Sequence, residues 1–332
     1  MKVLVTGGGG FLGRHLALRL HQAGCQVSIL GRRKYTGFPA GIEFFQTDLR
    51  DRQAVSQACA GKEAVFHAGA LTGIWGDKKE FYEVNVVGTR NVIDGCQHQR
   101  VKKLIYTSSP SVIHDQTDQI NVDETAPYPT HYLSEYPRTK ALAEKMVLAA
   151  NGLKGLLTVS LRPHLIWGPG DPHLVPRIVE QARKGQLVQV GDGKNQVDII
   201  YIDNAVEAHW LACQALCEGS PVAGRCYFLS DGEPVLLWQW IQELLTALNL
   251  PPLQKKISYR TGKWVGFLLE TVHRLLRLPG EPRMTRFLAA QLATSHYFSI
   301  ARARQDFNYK PVVPPGEGMR RLLKSLAAPP EY

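Results

Sequence analysis

The apolar run Val3-Leu4-Val5 breaks into Thr6-Gly7-Gly8-Gly9-Gly10-Phe11-Leu12-Gly13 and resumes with Leu16, Ala17 and Leu20 at helical spacing. No other stretch constrains the fold as strongly, because it specifies strand, tight turn and amphipathic helix in direct succession. Glycine is needed in such a turn because a side chain would hold the backbone off an anionic ligand and would penalise positive φ. The free N–H groups at the start of the helix then face the anion, and the helix dipole adds to their pull. A unit of this kind predicts a dinucleotide site on an α/β fold of the Rossmann type, a doubly wound parallel sheet.

Further strand-like runs follow at Gln26–Leu30, Ile42–Gln46, Ala64–Ala68, Lys103–Thr107 and Thr158–Pro163, with amphipathic stretches between them. That alternation is the pattern of a parallel sheet with its ligand across the carboxyl edge. After Arg162-Pro163 the pattern becomes irregular, with Pro169, Pro172, Pro176, Gly191 and Gly193. We therefore expect residues 1–165 to form the NAD(P)-binding body, with 197–215 returning to it and Val197–Asn204 rejoining the sheet. Residues 166–196 and 216–332 are expected to form a smaller substrate-binding lobe. The prolines at 311, 314, 315, 329 and 330 suggest a surface tail that frays at its end.

Composition narrows the class. With 332 residues and 44% hydrophobic content, the chain can bury a large core. It enters its first strand at once, without a basic and apolar leader, and no segment reaches the roughly 20 apolar residues of a membrane span. The six cysteines, 25, 59, 96, 213, 217 and 226, are scattered without metal-ligand spacing. They read as reduced thiols of a cytoplasmic protein, with no metal site. From Lys255 onward there are 14 Lys/Arg against 5 Asp/Glu, which is +9 of the formal +10. The basic lobe is either a solvated face, a site for an acidic substrate, or a peripheral contact with an anionic membrane. Nucleic acid is not expected, since no binding module accompanies the charge.

Two local patterns carry chemistry. The strand Gln26–Leu30 runs into Gly31-Arg32-Arg33-Lys34, where NAD-preferring folds keep an acid for the ribose 2′-hydroxyl. Guanidinium forks suit a phosphate, so Arg32 and Arg33 favour NADPH/NADP+ over NADH; the bland alternative is a solvated basic turn. Tyr136 and Lys140, in Tyr136-Pro137-Arg138-Thr139-Lys140, stand one helical turn apart, and Pro137 fits the first turn. A phenol titrates near ~10, and an adjacent ammonium lowers that value and suits it to exchange a proton with a carbonyl oxygen. The same lysine can reach the nicotinamide ribose.

Glycines three apart at Gly7, Gly10 and Gly13, followed far downstream by the Tyr136/Lys140 pair, resemble the extended short-chain dehydrogenase/reductase family. The resemblance implies that Phe11 and Leu12 belong to the cofactor loop and that Asp48, in Asp48-Leu49, meets the adenine. It further implies that Ala68-Gly69-Ala70 lets the backbone pass close to the cofactor. Ser109, in Ser108-Ser109-Pro110-Ser111-Val112, is implied as the substrate-polarising hydroxyl, with Ser108 the alternative by one residue of register. Asn85 resembles the helix residue that carries a relay water, although a buried Asn bonded only to backbone fits as well. Pro163 matches the proline flanking the nicotinamide. His164 and His173 are tempting acids, but Tyr136 already fills that role.

Within the family the resemblance is to the 3β-hydroxysteroid/sterol dehydrogenase branch, and more narrowly to bacterial 2-alkyl-3-oxoalkanoate reductases of olefin biosynthesis. It rests on Met1–Arg14, Asn85–Val92, Tyr106–Val112, Arg162–Asp171, Tyr201–His209 and Leu278–Ser299. It implies reduction of a hydrophobic 3-keto substrate to the 3-hydroxy acid. A sterol dehydrogenase, a sugar-nucleotide epimerase and a silent NADPH-binding sensor stand as alternatives. The expected partners are a hydrophobic small molecule and a second copy of the chain in a homodimer. An apolar stripe, Trp264, Val265, Phe267, Leu268, Leu269, Val272, Leu275 and Leu276, has three readings: core, acyl tunnel or membrane contact. Trp75 either covers the active site or packs its own loop.

Overall fold

The computed structural model describes residues 1–327. Seven parallel strands form the central sheet: β1 (Lys2–Thr6), β2 (Gln26–Gly31), β3 (Glu43–Gln46), β4 (Ala64–His67), β5 (Lys103–Thr107), β6 (Leu157–Pro163) and β7 (Arg225–Leu229). Their spatial order is β7-β6-β5-β4-β1-β2-β3. The chain builds outward from β1 to β3, then crosses to β4 and builds the other way. The strand order therefore switches between β1 and β4, where a crevice opens at the carboxyl edge.

Period-two alternation divides the strand side chains between two cores. Val3 and Val5 join Leu16, Ala17 and Leu20 of the first helix, Phe11–Gln22, in one cluster. Leu4, Val65 and Leu104 face the other way, against Val55, Val92, Cys96 and Val147 from three helices. Val3, Leu4 and Val5 are fully buried, and each such side chain contributes roughly 1.5–3 kcal/mol. A sheet covered on both faces is the expected doubly wound architecture.

Two expectations are corrected here. Residues 197–204 do not rejoin the central sheet: Ile200–Tyr201 pairs only with Ile166–Trp167. The return is made by the helix Ile202–Ala215, which packs on Phe11–Gln22 and is tied to it by Arg19–Glu207 at 3.0 Å. The edge place beside β6 goes to β7, from the segment assigned to the lobe. Its Tyr227-Phe228-Leu229 run is buried throughout, and its pairing with Leu161–Pro163 is parallel. Second, the proline-rich end is not a bare tail. Pro314-Pro315 opens a helix, Pro315–Ala327, whose Leu322 is buried. Proline at a first helical position costs no hydrogen bond. The fraying expected at Pro329 and Pro330 lies outside the described residues.

The lobe carries a second sheet in which Gln196–Val197 pairs with Val235–Leu236 and with His296–Phe298, and the last of these with Gln119–Val122. Gln119–Val122 comes from the loop after β5, so the body itself contributes an edge to the lobe. All six cysteines are free, four of them buried.

Candidate active site

The glycine turn lies where the crevice opens. Gly7 has φ +68°, and a Cβ there would lie 2.6 Å from the Cα of Gly69. A Cβ on Gly13 would lie 2.1 Å from the Gly7 carbonyl oxygen. The turn after β1, the first helix and the Ala68-Gly69-Ala70 turn after β4 thus close on one another without room for side chains. Gly10 precedes the helix Phe11–Gln22, and no side chain caps the N–H groups of that first turn, nor does any acid lie in it. A cradle of bare donors at a helix start fits the pyrophosphate of a dinucleotide.

A hydrogen-bonded chain that the sequence did not reveal holds this cradle. Thr89 donates to the Asn85 carbonyl at 2.6 Å, so its oxygen accepts from His67 Nε2 at 3.0 Å. His67 Nδ1 is then the acceptor for the Thr6 hydroxyl at 2.6 Å, and Thr6 in turn accepts from Gly69 N–H. The bonds assign the tautomer of His67. Burial, aided by the Lys140 charge, pushes His67 down to about 3, so the ring stays neutral.

Asn85 sits in a π-helical turn, Glu83–Val87, a local irregularity common at functional sites. Its Oδ1 accepts from Leu71 N–H at 2.7 Å, and its Nδ2 donates to the Leu71 carbonyl and to Thr139 Oγ1 at 3.0 Å. Asn85 thereby ties the loop after Ala70 to the helix that carries Tyr136 and Lys140. Asp48 is held by Arg50 through Nε at 2.9 Å and Nη2 at 2.8 Å, which keeps its carboxyl below the usual range. Leu49 is buried against Gly69 and Gly88. Arg32 and Arg33 are exposed beyond β2.

The helix Glu135–Ala149 brings Tyr136 and Lys140 to the carboxyl end of β5. Lys140 is buried; its Nζ donates to the Thr107 carbonyl at 2.5 Å and lies 4.2 Å from the centre of the Tyr106 ring. Burial pulls its ammonium down to about 7, with the Glu144 carboxylate working the other way. Burial pushes the Tyr136 phenol above its ordinary value, with the nearby Ser109 hydroxyl opposing that, while Ser109 Oγ itself lies 2.9 Å from Ser111 Oγ. The shift runs opposite to the lowering expected from Lys140, because burial disfavours the charged phenolate. Ser109 is extended, at φ −159°, and caps the short 3-10 helix Pro110–Ile113. The Ser108 hydroxyl is buried without a partner.

Pro163 ends β6 beside Leu229 of β7. Leu165, two residues on, has φ +44°, a strained conformation for a branched side chain at the rim of the crevice. His164 bonds His296 at 2.7 Å, and His173 is exposed at a helix start. Among the described residues no group of three or more His, Cys, Asp or Glu is placed to hold a metal.

The apolar stripe is not core. Trp264 is 68% exposed, Leu268 58%, Leu275 77% and Leu276 67%, all on or just beyond the helix Tyr259–Leu275. The buried positions of that helix are Gly262, Gly266 and Glu270. Trp75 reaches this helix, with Arg274 5.2 Å from the centre of its ring and His273 edge-on at 6.2 Å. No helix among the described residues is long and apolar enough to cross a membrane.

Residues 4–259 match the model of the 3-beta hydroxysteroid dehydrogenase/isomerase family. A 2-alkyl-3-oxoalkanoate reductase of Stenotrophomonas maltophilia is 48% identical over 332 residues, covering 99% of this chain and all of that protein. The sterol-4-alpha-carboxylate 3-dehydrogenase, decarboxylating, of Mus musculus is 35% identical, covering 98% of this chain and 91% of its own length. Among solved structures, MoeE5 in complex with UDP-glucose and NAD has the same fold, with a TM-score of 0.75 at 23% identity over 98% of both chains.

Proposed function

The chain belongs to the 3-beta hydroxysteroid dehydrogenase/isomerase family of NAD(P)-dependent oxidoreductases, and we propose that it uses NADPH to reduce a 2-alkyl-3-oxoalkanoate to the 3-hydroxy acid. The carrying observation is full-length identity of 48% to a reductase of that name, with Tyr136 and Lys140 at the crevice of this chain. When bound, the cofactor supplies a hydride to the carbonyl carbon. In this reading residues 1–165 with 197–215 hold the cofactor, and 166–196 and 216–332, apart from β7, receive the substrate.

The chain's own residues account for the remaining chemistry. Tyr136 and Ser109 bond the ketone oxygen, and the phenol gives it a proton as the new C–H bond forms. The phenolate left behind regains its proton from water. A phenol held protonated by burial is the form that reduction needs at its start. Lys140 stabilises the phenolate and reaches the nicotinamide ribose, while Pro163 flanks the ring. Gly7, Gly10, Phe11, Leu12 and Gly13 cradle the pyrophosphate, Ala68, Gly69, Ala70 and Asn85 form the facing wall, and Asp48 and Leu49 border the adenine. Arg32 and Arg33 receive the 2′-phosphate.

Initial rates of NADPH oxidation across 2-alkyl-3-keto acids of increasing length test the reading. A buried tail contributes about 0.8 kcal/mol per methylene, so efficiency should climb roughly fourfold per CH₂ until the pocket is full. A flat response with brisk turnover of a 3-ketosteroid would move the chain to the sterol branch, which 35% identity to a sterol dehydrogenase supports as the second reading.

We also propose that the lobe rests on an anionic membrane surface. Exposed Lys263, Arg274 and Arg277 are interspersed with the exposed stripe along the chain, the pairing of apolar and basic residues that suits a bilayer interface. A homodimer would cover the same face with a second copy. Light scattering without lipid, and co-sedimentation with phosphatidylglycerol vesicles, separate the two.

A further inference from the structure

After β2 the chain crosses the start of the first helix as an arm, Arg32 to Phe38, and two contacts hold that arm. Arg14 donates from Nη1 to the Thr36 carbonyl at 3.0 Å and from Nη2 to the Gly37 carbonyl at 2.8 Å. Its guanidinium also lies 4.7 Å from the centre of the Phe38 ring. A planar fork meeting two adjacent carbonyls fixes the arm's height above the helix, which a lysine could not do. Gly37, at φ +73°, permits the bend.

The second contact is the Tyr35 ring. A Cβ on Gly9 would lie 1.9 Å from Tyr35 Cζ and 2.2 Å from Cε2, and a Cβ on Gly31 would lie 2.9 Å from Cε2. The ring therefore lies directly on the backbone of the glycine turn at one end and on the last residue of β2 at the other. Neither Gly9 nor Gly31 has a positive φ, so neither is glycine for reasons of backbone conformation. Both are bare because one aromatic ring covers them. In the NADPH reading the place it covers is the adenosine side of the crevice, since Tyr35 follows Arg32 by three residues and Arg33 by two.

We infer that Tyr35 is a cofactor-contact residue whose ring walls the adenosine end of the crevice, and that Arg14 is the positioning residue of the arm bearing Arg32 and Arg33. The inference rests on the NADPH reading and adds to it a wall and a strap. An aromatic plane offers the adenosine a stacking surface independent of the phosphate. The strap holds the two arginines at a set distance from the glycine turn, so that less ordering remains to be done when the ligand arrives.

Calorimetric titration of the full chain with 2′,5′-ADP, 5′-AMP and reduced nicotinamide mononucleotide tests both parts. Tyr35→Ala should weaken both adenosine ligands roughly tenfold and leave the nicotinamide half unchanged. Tyr35→Phe should bind as the unsubstituted protein does. Arg14→Ala should lower the preference for 2′,5′-ADP over 5′-AMP about tenfold, and Arg14→Lys should not restore it. Adenosine ligands that bind Tyr35→Ala as tightly as before, or more tightly because the ring had filled their place, overturn the wall. An unchanged preference in Arg14→Ala overturns the strap. Failure of the NADPH reading would show elsewhere, in an unsubstituted protein that binds 2′,5′-ADP no better than 5′-AMP.

Discussion

Two inner strands of the body and one helix of the lobe bury their side chains by opposite rules. In β1 and β4 every residue after the first of β1 is buried, and alternate side chains feed two apolar cores. In the helix Tyr259–Leu275 the inward line is Gly262, Gly266 and Glu270, while tryptophan, phenylalanine and leucine face outward. A Cβ on Gly266 would lie 2.6 Å from the Arg286 nitrogen, so this helix sits against the start of Arg286–Ala293 at backbone distance. Glu270 completes the seam by binding Arg286 at 2.7 Å. A stripe at helical spacing therefore identifies a helix, but not which face is core. β1 and β4 place their apolar residues in the core, whereas this one helix leaves its own exposed.

The sharpest way to break the comparison is to show that chemistry does not reside in the body. Tyr136→Phe should lower kcat by roughly 10²–10⁴-fold while NADPH binding stays within about twofold, because only the proton donor is lost. Lys140→Ala should damage both quantities. Wild-type rates in Tyr136→Phe would move the acid elsewhere, the lobe included.

A smaller effect is expected at the cofactor's far end. Arg32→Asp should weaken NADPH roughly 10–100-fold and NADH far less, since a charge-assisted bond to phosphate becomes a repulsion. Equal affinities of the unsubstituted protein for both cofactors would remove the discrimination from the body altogether.

The inverted helix gives the matching test in the lobe. Gly266→Leu should destabilise the protein by about 1–3 kcal/mol by forcing the two helices apart, whereas Trp264→Lys on the outer face should shift stability by less than about 0.5 kcal/mol. Thermal unfolding of the pair decides it, and a larger loss from Trp264→Lys would restore the stripe to the core. Trp264→Lys should nevertheless abolish co-sedimentation with anionic vesicles. Retained binding by Trp264→Lys together with Leu268→Lys would assign the membrane contact to another surface.

The mildest expectation concerns pH. Lys140 is drawn down to about 7, so its ammonium is present below that value and lost as pH rises through it. Reduction should therefore decline on the alkaline side, and Glu144→Gln, which removes the charge opposing burial, should move that decline to lower pH. A pH–rate profile that Glu144→Gln leaves in place would separate Glu144 from the function of Lys140.

Much of the body was legible because its signals are local. The glycine turn, the six strand runs and the one-turn spacing of Tyr136 and Lys140 each follow from a period of two or 3.6 and from the demands of a single turn. The edge strand β7 was missed: its apolar run is only Cys226-Tyr227-Phe228-Leu229, and a short run does not say which sheet it will join. What lay beyond reach were pairings across long separations: Thr6 with His67, Arg14 with Thr36, Lys140 with Thr107, Tyr35 over Gly9.

The amino-acid sequence alone determined that the chain is a doubly wound dinucleotide fold with a Tyr–Lys pair after its fifth strand. Tertiary structure alone decided that the Ser108 hydroxyl is buried without a partner while Ser109 caps the 3-10 helix after it, that burial raises the phenol rather than lowering it, and that the lobe's helix turns its glycines inward. Backbone pattern is written in neighbouring residues, whereas burial and electrostatic balance depend on what the rest of the chain places opposite each side chain.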